Sequence, residues 1–229
     1  MTMVIVKGGR EAGNPRDGRE RLIRGALEVL GERGYGETDL RQAAARGDAP
    51  RGSIYHHFPG GKADLVRAAV DKRAAGLAAL LERSLADQGV LLTLDLFARA
   101  LSGSEDREPA RVGCSIAALA LAPPEETELH AAAATAFSRL ERLIGDALIR
   151  EGVNAAQAPP VAALIMAAAE GALIRARAFE DRGAIGESLA GLRALLEPLL
   201  GDLRARSGTM GDTGLEPVTS ALSRRRSPS

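Results

Sequence analysis

One cysteine, Cys114, occurs in the 229 residues, so no intrachain disulfide can form and the chain suits a reducing cytosol. Long apolar runs are missing too. The richest, Ala158 to Ala169, falls short of the roughly 18 to 20 residues that span a bilayer, and Glu170 ends it. Met1 to Val6 is too short for the apolar core of a secretory signal. A cytoplasmic protein without a membrane span is expected. No nucleophile–base constellation, metal-ligand spacing or phosphate-cradling glycine loop is present, and Gly52 and Gly60-Gly61 fit no such loop. His56 and His57 are adjacent, point to different sides of a helix and cannot share a metal in helical geometry. His130 stands alone among Ala and Glu, as a solvated residue would. Neither a metal nor a cofactor is expected. Cys114 precedes an apolar stretch, where a helix N-terminus lowers a thiol's pKa, but a small, buried apolar role is the simpler reading.

An excess of charge of one sign is also lacking, with 30 Lys+Arg against 30 Asp+Glu. The balance hides a segregation. Residues 1–75 hold 14 basic against 10 acidic side chains, residues 76–201 hold 11 against 17, and the remainder 5 against 3. A basic N-terminal part and an acidic middle are what a chain shows when one end meets phosphate and the other does not.

The scarcity of aromatics gives the strongest positive signal. There are two Tyr, four Phe, three His and no Trp, yet Tyr55, His56, His57 and Phe58 stand side by side. A core helix spaces large residues three or four apart, so this cluster reads as a contact surface. Before it, Thr38 to Arg46 has the pattern of a short helix with Thr38 as its cap; Gly47-Asp48 breaks it, and Pro50 is placed to open another. Helix, tight turn with glycine and short second helix is the helix-turn-helix pattern, here about 38–58.

A first helix is expected over about 17–33, with Leu22, Ile23, Ala26, Leu27, Val29 and Leu30 on its apolar face and Gly34 as its stop. A fourth, long one starts near Gly61. From there Ala, Leu, Glu and Arg dominate and β-branched runs are absent. Glycine and proline breaks divide the rest into helices 91–101, 113–121, 125–151, 160–181 and 187–203, with apolar faces that suit an antiparallel bundle. Residues 1–16 and 207–229 have no apolar period and are expected to be a disordered arm and tail. Lys7, Arg10 and Arg16 on the arm and the Arg224-Arg225-Arg226 triplet are solvated charge in the simplest reading and nucleic-acid contacts in the other.

Thr38 to Lys62, with an amphipathic helix ending at Gly34-Tyr35 before it and Lys62-Ala63-Asp64-Leu65 after it, resembles the N-terminal domain of the TetR family of bacterial transcriptional repressors. Ala49-Pro50-Arg51-Gly52-Ser53 with Phe58-Pro59-Gly60-Gly61-Lys62 is similar to the LmrA/YxaF-like subgroup. A looser likeness centres on Gly113-Cys114-Ser115-Ile116-Ala117-Ala118. The resemblance implies an all-α chain. A three-helix helix-turn-helix domain, residues 17–75, precedes a larger helical-bundle domain for effector binding and dimerisation, residues 76–206. It also implies a homodimer joined by the last two helices, a pseudo-palindromic DNA operator as partner, and a small apolar effector that releases it.

The third helix is then the one placed in the major groove, with Arg51, Ser53 and His56 facing base edges and Gly52 letting the backbone approach. Arginine can grip guanine O6 and N7 with two hydrogen bonds, so Arg51 is the best specificity candidate, with phosphate contact its rival. Thr38, Tyr55 and Lys62 match family positions that hold phosphates, and the N–H groups opening the second and fourth helices can add to that grip. Tyr55 and Phe58 have the alternative of packing the small core, which suits Phe58 better than Tyr55. Effector contacts are expected from Phe97, Phe137 and Met166 on an apolar cavity, with Arg175, Glu170 or Arg139 orienting a ligand. Asp48 sets a negative charge near DNA, and Arg41-Gln42 replaces a more apolar turn of relatives. Two other functions stay open: an enzyme built on the bundle and a non-specific DNA-coating protein.

Overall fold

The computed structural model describes residues 15–102 and 113–209, with side chains described over 18–50, 52–102 and 113–200. The expected arm through residue 14 and the tail from 210, with the Arg224-Arg225-Arg226 triplet, lie outside the described residues. So does the Arg51 side chain. Every element described is helical: α1 (Pro15–Arg33), α2 (Leu40–Arg46), a 3₁₀ turn (Arg51–Ser53) running into α3 (Ile54–His57), α4 (Lys62–Ser102), α5 (Ser115–Ala120), α6 (Thr127–Arg150), α7 (Ala158–Ala178) and α8 (Gly183–Thr209).

Local chemistry sets most boundaries. Gly34 ends α1 with φ 76°, its N–H bonded to the Leu30 carbonyl at 2.9 Å, a conformation that costs other residues more. Pro159 and Pro160 fall in the first turn of α7, where a missing N–H costs nothing. Several ends differ from expectation: α1 opens at Pro15, inside the expected arm; α7 is Ala158–Ala178 rather than 160–181; and α8 is Gly183–Thr209 rather than 187–203.

The cap of α2 is a correction. Thr38 is buried, its N–H bonded to the Tyr35 carbonyl and its hydroxyl donating to the Gly34 carbonyl at 2.7 Å. The turn after Gly34 thus consumes Thr38. Asp39, in extended conformation, becomes the cap, its carboxylate accepting from the Arg41 N–H at 2.5 Å.

Two aliphatic clusters form. The smaller joins Leu22, Ile23 and Ala26 of α1, Ala43 and Ala44 of α2, Ile54, Phe58, and Leu65 and Ala69 of α4. The larger runs through α4 to α8 and draws in Leu30, Tyr35, Val66 and Val70. Helix α4 belongs to both. The break expected near Gly89 is present as a kink that divides α4 into two helical segments: Gly89 is non-helical, with φ 77°, and the Glu151 carboxylate at the end of α6 accepts the Val90 N–H at 2.7 Å.

Candidate nucleic-acid interface and effector cavity

The helix-turn-helix is held by glycine contacts between backbones. A Cβ at Gly25 would lie 1.9 Å from the Ala43 carbonyl oxygen, and one at Gly47 1.9 Å from that of Arg21, so α1 and α2 cross at a distance only glycine permits. Arg21 and Arg24 both donate to the Gly47 carbonyl, at 3.3 and 3.2 Å. Asp48 takes the left-handed turn position with φ 51°, and its carboxylate pairs with Arg21 at 2.6 Å. The negative charge near DNA is therefore matched within the protein. Arg46 of α2 pairs with Glu32 at 3.0 Å and Glu28 at 3.8 Å on α1.

On the outward side the sequence-nominated residues divide. Tyr55 is 67% exposed, His56 is exposed, and Phe58 is buried in the small core, as preferred for each. Gly52 is exposed, with open space where a Cβ would stand. Ser53 is half-buried and its hydroxyl donates to the Pro50 carbonyl at 2.7 Å, leaving its lone pairs free to accept. The His56 and His57 rings meet edge to face at 5.0 Å, and burial first, then the neighbouring His56 and Arg19 charges, lowers the His57 pKa.

Three expectations are corrected. Thr38 does not present a hydroxyl to phosphate, because it is buried and bonded to Gly34. The grip expected of the helix-opening N–H groups is reduced at α2, where the Asp39 carboxylate already accepts from Arg41 and Gln42 at 2.5 and 3.4 Å. Lys62 is turned inward, its ammonium 4.2 Å from the centre of the Tyr35 ring and donating to the Gly36 carbonyl at 3.1 Å. Burial lowers its pKa.

Tyr35, which follows α1, belongs to the larger cluster and ties the helix-turn-helix region to the start of α6, a role the sequence did not announce. Its hydroxyl donates to Glu126, the residue before α6, at 2.7 Å, and burial first, then that bond, raises its pKa. Nearby, Arg67 of α4 pairs with Glu128 at 3.6 Å.

Inside the bundle lies a cavity of about 690 Å³. The part of α4 beyond the Gly89 kink supplies Val90, Thr93, Leu94, Phe97 and Leu101, and α7 supplies Ile165, Met166, Ala169, Glu170 and Leu173. Its wall continues to Leu27, Glu28, Gly31 and Glu32 of α1 and Arg46 of α2, so it touches the helix-turn-helix itself. Phe97, Met166 and Glu170 line it as expected. Phe137 does not: it packs against the aliphatic core, and α6 offers Leu140 and Ile144 instead. Arg175 also stands outside, because five residues on from Glu170 is about 140° round a helix. It reaches Ser188 of α8 at 2.5 Å and stacks on Phe179.

Cys114 lines the cavity beside Glu170. Burial, then the Glu170 carboxyl, pushes the thiol up to about 12, against the pKa-lowering effect of a helix start. Burial also raises the Glu170 pKa, partly offset by the bond from Cys114. His130 is corrected as well: it is half-buried, with Nε2 2.9 Å from the Ala122 carbonyl oxygen. Among the described residues no three His, Cys, Asp or Glu gather as metal ligands, and no helix is long and apolar enough to cross a membrane.

Residues 22–69 match the family described as "Bacterial regulatory proteins, tetR family", and residues 88–187 match "Transcriptional regulator LmrA/YxaF-like, C-terminal domain". An HTH-type transcriptional regulator of Mycobacterium tuberculosis is 31% identical over 169 residues, which are 71% of this chain and 86% of that protein. The HTH-type transcriptional regulator LmrA of Bacillus subtilis is 26% identical over 167 residues, 69% and 85% of the two chains. In fold, the chain superposes on a regulatory protein TetR from Rhodobacter sphaeroides with a TM-score of 0.66 at 24% identity, covering 77% of this chain and 97% of that one. A TetR transcriptional regulator from Legionella pneumophila gives 0.65 at 20%, covering 83% and 99%. These relatives are regulators rather than enzymes, and the all-α architecture with an N-terminal helix-turn-helix is theirs too. The chain belongs to the TetR family of bacterial transcriptional regulators.

Proposed function

We propose that the protein is a homodimeric, cytoplasmic repressor that binds a pseudo-palindromic operator and releases it when a small, largely apolar molecule fills the bundle cavity. The observation that carries this reading is the continuity of that cavity with the helix-turn-helix: Leu27, Gly31 and Arg46 belong to its wall as much as Phe97 and Met166 do. A ligand that reshapes the wall thereby biases the placement of α1 and α2. A coupling of about 1–3 kcal/mol weakens operator binding from several-fold to around a hundredfold.

In this reading residues 17–75 are the DNA-binding domain and 76–206 the effector and dimerisation domain. Arg51, Gly52, Ser53 and His56 face bases and Tyr55 holds phosphate. Lys62 joins them only by leaving the Tyr35 ring, and Thr38 is withdrawn from the set because of its burial.

Dimerisation finds support in the outer face of α7 and α8. Leu164, Ile174, Phe179 and Leu195 are each more than half exposed, while Gly171 and Gly191 have open space where a Cβ would stand. Apolar side chains and bare backbone along two adjacent helices suit a second copy of the same face.

Footprinting of DNA upstream of the protein's own gene tests the reading. Two protected half-sites centred about one turn, roughly 34–36 Å, apart are expected. Uniform protection without sequence preference would favour a DNA-coating protein instead.

A further inference from the structure

The cavity has charge at one end and a single carboxyl in its depth. At the helix-turn-helix end Glu28 and Glu32 both pair with Arg46, and Arg73 of α4 is exposed. The wall contributed by α5 to α8 is otherwise built from apolar side chains, with Cys114 and Ser115 before and at the start of α5. Its one charged residue is Glu170, and α6 and α8 bring Leu140, Ile144 and Leu189. Among the described residues Glu170 pairs with no cation, and its polar neighbour is the Cys114 thiol. The carboxyl is disfavoured as an anion by burial, and among the described residues the bundle wall offers it the Cys114 thiol and no cation.

We propose that Glu170 is the anchoring residue for a lipophilic cation, an apolar molecule carrying one protonated amine, in the cavity between α4 and α8. The proposal rests on the reading of this cavity as the effector site. An ammonium beside Glu170 supplies the missing counter-charge in a low-dielectric place, where an ion pair is stronger than in water. A neutral ligand of the same shape leaves the carboxyl with the thiol alone. An anionic one meets a carboxyl with no cation among the described residues of that wall. A cavity of about 690 Å³ is large enough for a two-ring body with its amine.

A matched series tests the charge directly: 2-(aminomethyl)naphthalene, 2-naphthalenemethanol and 2-naphthoate, titrated calorimetrically into the full-length protein at pH 7. The amine is expected to bind at least about tenfold more tightly than the alcohol, with the carboxylate weakest. Glu170→Gln is expected to abolish the amine's advantage while leaving the alcohol's affinity within about twofold, which also shows that the variant has folded. The wild-type ordering stands independently of the variant. An alcohol or carboxylate that binds as tightly as the amine overturns the proposal, as does an amine preference that survives Glu170→Gln or no binding of any probe at millimolar concentration. Operator release is measured in parallel. Amine binding that depends on Glu170 without DNA release leaves the cation site standing and contradicts ligand-released repression, so the two failures are distinguishable.

Discussion

The small cluster around α1 and α2 leaves no room for a methyl group at Gly25 or Gly47, whereas the bundle a few residues away encloses about 690 Å³ of space. Both are built from the same aliphatic vocabulary. Their difference lies in how closely backbones approach: Ala43, Ala44 and two glycines allow α1 and α2 to touch, while Leu, Ile, Met and Phe hold α4, α6 and α7 apart. A tightly packed unit keeps its shape when pushed, and a hollow one has room to change. That contrast suits the proposed reading, a DNA-binding head coupled to a ligand-responsive body.

The contrast can be broken most severely at its tightest point. Gly47→Ala forces a Cβ against the Arg21 carbonyl and is expected to cost about 3 kcal/mol or more, because backbone rather than a flexible side chain must yield. Urea denaturation would measure the loss, and operator binding should disappear with it.

Gly89→Ala comes next, since it places a side chain at φ 77° and 2.6 Å from the Glu151 carboxylate that anchors the kink. About 1–3 kcal/mol of stability should be lost, with α4 straightening and the Phe97 end of the cavity displaced. A variant as stable as wild type would mean that the kink does not depend on this glycine.

Tyr35→Phe removes the hydroxyl that binds the helix-turn-helix to the start of α6, at an expected cost of about 0.5–1.5 kcal/mol. Operator affinity without ligand should change little, and ligand-induced release should weaken. Unchanged release would show that the signal bypasses this junction.

The smallest effect concerns Glu170. Burial raises its pKa in the folded protein above the unfolded value, so the residue favours folding below the ordinary carboxylate pKa of 4.5, and that contribution is lost as the pH rises through the folded value. Glu170→Gln should therefore melt at or above the wild-type temperature at pH 8, with the difference shrinking toward pH 4. A variant destabilised at pH 8 would contradict the sign.

Much of this was legible in the residues themselves. The crowding of Tyr55 to Phe58, the Gly47-Asp48 break and the Leu22 to Leu30 face led to the helix-turn-helix; Phe58, which ends α3, turns inward on the side of the buried Ile54 four residues before it, and Tyr55 stays outside. What stayed hidden depends on partners far apart in sequence. Thr38 is a capping residue by type, but the left-handed Gly34 before it turns its hydroxyl inward and hands the cap to Asp39. Lys62 looks like a phosphate ligand until the Tyr35 ring is seen beneath it, and nothing local pairs Tyr35 with Glu126, 91 residues away. In the cavity, the i, i+4 series Leu77, Leu81, Leu85 continues as Val90, Leu94, Phe97, Leu101, its step altered at Gly89. That altered step was the available sign of where the cavity lies.

The proposed function depends most on sequence-specific reading of DNA by the 3₁₀ turn and α3. It is tested most directly by a fluorescence-polarisation titration of the full-length protein against the duplex upstream of its own gene and a scrambled duplex, at two salt concentrations. Tighter binding to the native duplex, lost in Arg51→Ala and merely weakened in Tyr55→Phe, is the expected result. Equal binding to both duplexes with a steep salt dependence, or no binding even at low salt, would contradict it.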